Sequence, residues 1–273
     1  LNFENYYMKN NNATYNGIIG NISTYSELEN VHAKNVTIVV GESRASASSN
    51  YIGGLAGYVY YSKFTNVTIT NVKIQSDVAI NDSYIGGMFG RTYETGITNC
   101  FVRNVDIDIK NSASIKGIGG LQGGDNGSGG NIRYSYTTGT IRTNNVNVGG
   151  ISGNGYSHIT SSYSTVNIIS ESSYFAGIVG NSNNSMSNLE NVFYGGNLLT
   201  TSLDSEFRKI GTGGAALETQ YALKDSLING VSSENTYTGY GETLVMKRDI
   251  NKEKYIEMLD DDSQFLFSED DPY

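Results

Sequence analysis

The chain has 273 residues, a formal charge of −9 and only 16% charged residues. So acidic a balance lacks the clustered Lys and Arg that phosphate neutralisation needs, which argues against nucleic acid as a partner. Cys100 is the single cysteine, so no internal disulfide forms, and no apolar run reaches the length of a membrane span.

The sequence starts at Leu1 with no signal-peptide pattern and reads as an internal segment of something larger. A degenerate glycine phrase at Asn16–Gly20 is followed by an alternating apolar strip, Leu28–Val40. The full phrase, Gly-Gly-apolar-x-Gly, comes next at Ile52–Gly57, followed by the strip Phe64–Ile74. The pair then recurs as Ile85–Gly90 with Ile97–Ile109, and as Ile118–Gly123 with Ile132–Ile141. It recurs again as Val148–Gly153 with Ile159–Ile169, and as Phe175–Gly180 with Leu189–Leu199. The closing glycines stand at 57, 90, 123, 153 and 180, in steps of 33, 33, 30 and 27. Periods of roughly 20–50 residues mark repeat architectures. Within Phe64–Ile74 the alternation predicts Val67, Ile69, Val72 and Ile74 inward, with Thr68 and Lys73 outward.

Two columns interrupt the strips when the repeats are aligned on their glycines. The first is Asn30, Asn66, Asn99, Tyr134, Ser161 and Asn191; the second is Asn35, Asn71, Asn104, Gly139, Val166 and Gly196. Asn and Gly tolerate positive φ, so each column predicts a corner, and stacked asparagines can hydrogen-bond along the stack. Val166 breaks the rule, and a one-residue bulge is expected there. Each repeat thus reads as three short strands, two corners and a variable loop. The expected fold is an all-β, right-handed parallel β-helix of about six repeats over 1–201.

Beyond Thr201 the pattern stops. Leu203–Tyr240 reads as irregular and Asp249–Leu259 as a short helix with Tyr255, Met258 and Leu259 on one side. The acidic runs Asp260–Asp262 and Glu269–Asp271 follow, with Phe265 and Phe267 as anchors. Residues 202–273 are expected to form a small mixed C-terminal cap over the open end of the stack.

At the phrases Ile52–Gly57 and Ile85–Gly90 the chain resembles the GLUG-motif repeats of bacterial surface proteins. Ser135–Gly139 resembles that family's Asn-Ser-Tyr-Ser-Thr-Gly strip, with Tyr134 in place of the Asn. Arg208–Gly230, with Gln220-Tyr221-Ala222-Leu223, resembles the segment that closes such arrays. The resemblance spans about 15–267. Such arrays occur in the non-catalytic part of immunoglobulin A1 protease-type zinc metallopeptidases and in adhesin-like proteins. The resemblance therefore implies an extracellular or cell-surface location and a spacer, docking or adhesion role toward a host glycoprotein or glycan.

The residues themselves offer little chemistry, and the chain reads as non-catalytic, with no cofactor and no metal. His-Glu-x-x-His is absent, and His32 and His158 fall four repeats apart, too far to share a metal. Cys100 replaces Val31, Val67 and Val192 of other repeats and reads as a core residue. Arg103, Asp106, Asp108 and Lys110 form the best carboxylate cluster, but on one outward face and without acids at the aligned Lys73 and Gln75. Gly123–Asn131 lacks the Lys-Ser/Thr of a phosphate loop and reads as a flexible corner, with Asp125 the one residue a calcium site would use. Tyr51, Tyr84 and Tyr174 each precede a glycine phrase, which favours a structural ladder. Tyr58, Tyr60, Tyr61 and Tyr93 follow it and are expected on a loop edge as a contact surface. The first functional reading is a spacer and recognition segment of a larger secreted zinc protease. The alternative is a free-standing adhesin or glycan-binding module, and a polysaccharide lyase or hydrolase comes third.

Overall fold

The computed structural model describes residues 1–10, 13–41, 49–76, 80–109, 114–127, 130–144, 147–155, 157–170, 174–181, 189–199, 206–208, 220–223, 227–228, 231–232, 243–245 and 253–254. It is an all-β parallel solenoid of about five turns.

A strand β1 (Asn2–Asn10) precedes the first rung, which is β2 (Tyr15–Asn16), β3 (Ile19–Ile22) and β4 (Glu27–Val40). The second rung is β5 (Asn50–Gly53), β6 (Ala56–Tyr60) and β7 (Lys63–Ser76). The third is β8 (Asn81–Gly86), β9 (Phe89–Tyr93), β10 (Gly96–Thr98) and β11 (Phe101–Ile109). The fourth is β12 (Ser114–Gly119), β13 (Gln122–Asp125), β14 (Asn131–Arg133) and β15 (Tyr136–Thr143). The fifth is β16 (Val148–Gly149), β17 (Ser152–Asn154), β18 (His158–Ser164) and β19 (Asn167–Ser170). The sixth is β20 (Tyr174–Ala176), β21 (Val179–Asn181), β22 (Leu189–Tyr194) and β23 (Leu198–Leu199). Five short strands follow: β24 (Glu206–Arg208), β25 (Gln220–Leu223), β26 (Leu227–Ile228), β27 (Val231–Ser232) and β28 (Thr243–Val245).

The glycine phrase does not form one strand, nor is it a variable loop. It contributes two short strands to two different sheets, with a tight turn between them. Its first half builds a seven-stranded sheet B, β2-β5-β8-β12-β16-β20-β24, and its second half a six-stranded sheet C, β3-β6-β9-β13-β17-β21. The alternating strips build the 15-stranded sheet A, in which β4 and β7 run as single strands past the asparagines, the paired register resuming on either side of each. Among the described residues every strand pairing is parallel except β26 with β27.

Register explains the core. Ile52, Ile85, Ile118, Val148 and Phe175 are direct partners down sheet B, and all are fully buried. Leu55, Met88, Leu121, Ile151 and Ile178 form a second column, the backbone N–H of each of the first four donating to the carbonyl of the next at 2.9–3.0 Å. In sheet A, Val67, Ile69, Val72 and Ile74 point inward as the alternation predicts, and Lys73 is exposed. Each such side chain stabilises the stack by roughly 1.5–3 kcal/mol relative to exposure. Cys100 lies in the core partner position to Val67, fully buried, and burial pushes its thiol up to about 12. A thiol held protonated in this way is inert.

The glycines permit backbone contact. A Cβ on Gly54 would lie 2.3 Å from the Gly87 carbonyl oxygen, and one on Gly87 would lie 2.1 Å from that of Gly120. These glycines therefore pile in neighbouring rungs. Sheets B and C also meet backbone to backbone: a Cβ on Gly53 would lie 2.2 Å from the Ala56 oxygen, and one on Gly57 2.6 Å from the Tyr51 oxygen.

The first corner column holds throughout, with φ between 45° and 56° at Asn30, Asn66, Asn99, Tyr134, Ser161 and Asn191. The second holds only for Asn35, Asn71 and Asn104, with φ of 55°, 58° and 59°. Here the expected alignment is corrected. The register shifts between Val102 and Val105, so Gly139 partners Val105 rather than Asn104. Thr138 takes over at the Asn104 level, where its Oγ1 accepts from the Asn104 N–H at 2.9 Å. The bulge thus falls between the third and fourth rungs, not at Val166. Neither Val166 nor Gly196 is left-handed; the corner at Val166 is stabilised instead by side chains. Ser164 Oγ accepts from the Val166 N–H at 3.2 Å, and the Tyr194 hydroxyl donates to the Val166 carbonyl at 3.0 Å.

The second-column asparagines form a ladder. Asn104 Nδ2 donates to Asn71 Oδ1, Asn71 to Asn35, and Asn35 to Asn5, each at 2.9 Å. Asn5 belongs to β1, which pairs with β4 and stands outside the strips recognised by alternation. Its signal was Asn5 itself, 30 residues before Asn35, with Tyr6 and Met8 after it at the strip's spacing.

Parallel pairing runs beyond Thr201, since β24 extends sheet B and β25 and β28 extend sheet A. Residues 253–254, inside the expected helix Asp249–Leu259, are helical. The rest of that helix, Asp260–Asp262, Phe265, Phe267 and Glu269–Asp271 lie outside the described residues. No helix among the described residues is long and apolar enough to cross a membrane.

Candidate functional site

The carboxylate cluster comes apart in three dimensions. Asp106 pairs with Arg142 at 2.9 Å, and Asp106 and Asp108 partner Lys73 and Gln75 in β7. Arg103 turns away to donate from Nε to the Tyr136 hydroxyl, its guanidinium lying over the Phe101 and Tyr136 rings. Lys110 lies outside the described residues. His32 in β4 and His158 in β18 are four strands apart in sheet A, roughly 19 Å at ~4.8 Å per strand. Among the described residues no three His, Cys, Asp or Glu side chains gather to hold a metal.

Asp125 is not on a flexible corner. Gln122–Asp125 is strand β13, buried throughout, and Asp125 faces a buried polar network. Ser157 Oγ donates to its Oδ2 at 2.7 Å and the Gly127 N–H donates to its Oδ1 at 3.2 Å. Gln122 Nε2 donates to Ser157 and Ser152, and Thr92 Oγ1 donates to Gln122 Oε1. Burial raises the Asp125 carboxyl above its ordinary range, against the lowering effect of Ser157 and the backbone donors. A raised folded value means that the neutral form favours the fold. The contribution is complete below the unfolded carboxylate value near ~3.9 and is lost as pH rises through the folded value. Asp125→Asn is therefore expected to melt no lower than wild type at pH 7 and to flatten the melting temperature between about pH 4 and 7. A loss above ~1 kcal/mol at pH 7 would instead mean that the ionised carboxylate is needed.

The tyrosines make an extended surface feature among the described residues. Tyr15, Tyr51 and Tyr84 are consecutive rungs of sheet B, their rings stacked at 5.6 and 5.9 Å with interplanar angles of 14° and 24°. Of the expected ladder Tyr51 and Tyr84 stack, Tyr15 joins them from the first rung, and the column stops at Gly117, the partner of Tyr84. The side chain of Tyr174 lies outside the described residues. Tyr58 and Tyr60 lie in β6 and Tyr93 in β9, so they project from strands rather than a loop edge. Tyr61 occupies a corner with φ of 46°. Tyr60 stacks on Tyr93 at 4.9 Å and meets Tyr61 edge-on at 4.5 Å, and Tyr61 stacks on Tyr25 at 5.8 Å.

The two tyrosine sets expected to serve different purposes are one surface. Tyr51 of sheet B and Tyr58 of sheet C approach to 5.3 Å. The glycine contacts that draw the two sheets together put them there. Arg91, partner of Tyr58 in the next rung, enters the same group. Its guanidinium lies 4.7 Å from the Tyr84 ring centre and 5.6 Å from that of Tyr51, and its Nη1 donates to the Tyr51 hydroxyl at 3.1 Å. Burial raises the Tyr58 and Tyr84 phenols, against the pull of Arg91, so both stay neutral at physiological pH. Sequence reading missed Arg91, Tyr15 and Tyr25. The available signal was that Arg91 stands one residue after its phrase, where Tyr58 stands after the previous one.

A second aromatic column, Phe101, Tyr136 and Tyr163, stacks at 4.5 and 4.8 Å along sheet A. Tyr136 and Tyr163 are buried, so this column serves packing. In the first group Tyr25 is 77% and Tyr15 39% exposed, and Tyr58, Tyr60, Tyr61 and Tyr93 are half-buried.

A family model described as the GLUG motif matches residues 48–75, which span the second rung, β5 to β7, nearly end to end. The chain is a parallel β-solenoid in which one rung matches the GLUG motif. No curated protein and no solved structure matches it.

Proposed function

We propose that this chain is a non-catalytic segment of a bacterial cell-surface or secreted protein, acting as a spacer that presents a recognition surface to a host protein or glycan. The observation that carries the reading is the continuous tyrosine surface of rungs one to three. It is joined across sheets B and C and half-exposed, where Tyr136 and Tyr163 of the other aromatic column are buried. Tyr and Arg supply large contact area with polar tips, the composition of binding hot spots. Six rungs give a stiff rise of roughly 24 Å at ~4.8 Å per step, which suits a spacer. The parent in this reading is a larger secreted zinc protease whose catalytic residues lie elsewhere, with a free-standing adhesin as the alternative.

Calorimetric titration against immunoglobulin and mucin glycoproteins tests it. Binding to at least one is expected, weakened about fivefold or more by Tyr60→Ala or Tyr93→Ala. Binding to none leaves only the spacer role. Binding indifferent to both changes removes the tyrosine surface from the reading. Incubation with acidic polysaccharides is expected to release no new reducing ends or unsaturated products.

A further inference from the structure

Arg91 is unusual in a chain with 27 acids and 18 Lys and Arg. Its guanidinium is stacked among tyrosines and has no carboxylate partner among the described residues. Asp82, whose carboxyl Arg91 helps lower through space, is already engaged: Ser49 Oγ donates to its Oδ2 at 2.6 Å and Lys116 Nζ lies 3.0 Å from its Oδ1. Of the guanidinium fork, Nη1 is used by Tyr51, while Nε is buried without any hydrogen-bond partner. It is the one orphaned donor among the buried side-chain atoms described. A buried N–H of a charged group left unpaired is costly, and cation–π contact offsets only part of that cost. The missing group is an acceptor, and the open side of a guanidinium fork matches a carboxylate bidentately.

We propose that Arg91, framed by Tyr51, Tyr58 and Tyr84, is the subsite that takes the carboxylate of an acidic glycan. This rests on the recognition role above and names its ligand class. Two features favour a sugar chain over an acidic peptide. The strands beneath the site, β5, β6, β8 and β9, are each paired on both sides, so a peptide finds no free edge to extend. The faces of the Tyr51 ring are covered by Tyr15 and Tyr84, so ring edges and neutral hydroxyls remain to meet a ligand. Such a surface offers side-chain hydrogen bonds to a hydroxyl-rich molecule. Because Nε has no solvent access in this arrangement, a ligand reaches it only when the groups covering it move.

The test is titration of the 273-residue chain with tetragalacturonic acid, its full methyl ester and a tetraglutamate peptide. The variants are Arg91→Gln, Arg91→Lys, Tyr60→Ala and the remote control Lys63→Gln, each checked for an unchanged far-ultraviolet spectrum. The acid tetramer is expected to bind, and its ester at least ~tenfold more weakly. Arg91→Gln is expected to lose that preference, Arg91→Lys to keep part of it, and Lys63→Gln to leave it intact. Added salt should weaken the acid form only. Equal binding of acid and ester, an intact preference in Arg91→Gln, or no binding of the acid tetramer overturns the inference. Equal or tighter binding of tetraglutamate reassigns the subsite to acidic peptides and also overturns it. If the ester binds as well as the acid and Tyr60→Ala weakens both, the recognition role stands and only the Arg91 inference fails.

Discussion

Gly87→Val is expected to destabilise the fold by about 4 kcal/mol or more, enough to prevent folding of a marginally stable chain. A Cβ at this position lies 2.1 Å from the Gly120 carbonyl oxygen, a backbone atom that cannot rotate away. It also meets Val102 Cγ1 at 2.9 Å and Val105 Cγ2 at 3.2 Å. Relief requires rungs three and four to separate, which breaks the Gly87 N–H to Gly119 carbonyl bond of 3.2 Å and its neighbours. In a stack where each unit touches only the next, a lesion at the third of six rungs divides the whole. Gly96→Ala is the contrast. Its Cβ meets only Lys63 Cγ at 3.6 Å and Asn131 Oδ1 at 3.8 Å, ordinary contact distances. Removing a glycine from a strand there should be neutral or stabilising by up to ~1 kcal/mol. Thermal melts of both variants by circular dichroism decide the matter. A Gly87→Val chain that melts within a few degrees of wild type would show that the glycine columns are not in contact.

Asn71→Ala carries the second-largest expected effect, about 2 kcal/mol, and Asn71→Gly about half of it. Asn71 has φ of 58°, where an alanine pays roughly 1–2 kcal/mol and a glycine almost nothing. It also stands in the middle of the amide ladder, donating to Asn35 and accepting from Asn104. Both bonds are exposed, so each contributes at the low end of roughly 0.5–1.5 kcal/mol. The glycine variant loses the ladder alone, and the alanine variant loses the ladder and the corner. Equal melting temperatures for the two would mean that the left-handed corner contributes nothing and the ladder everything.

The contrast between corner columns shows what a sequence pattern can and cannot carry. Asn30, Asn66 and Asn99 are readable because positive φ is a property of one residue and its immediate backbone. Tyr134 and Ser161 adopt the same geometry without the composition that announces it, held there by the rungs on either side. Gly139 was misaligned by one position because a glycine also permits φ of 127°. Only the pairing of Val105 with Gly139 reveals that a residue had dropped out before it. Asp125 misled for a related reason. Its glycine-rich surroundings read as a loose loop, whereas those glycines let the backbone of β13 fit between neighbours with the carboxyl turned onto Ser157.

What the chain's order of residues settled by itself was the period, the inward face of each strip, the left-handed asparagine corners and the core position of Cys100. These follow from alternation and conformational preference, which act over a few residues. What only the folded stack decided was the union of Tyr51, Tyr58 and Arg91 into one surface, and the lack of an ion pair between Arg91 and any described carboxylate. Tyr51 and Arg91 stand 40 residues apart in the chain. Their contact depends on rung register and on how closely the glycines let sheets B and C approach, and neither is a property of any local window.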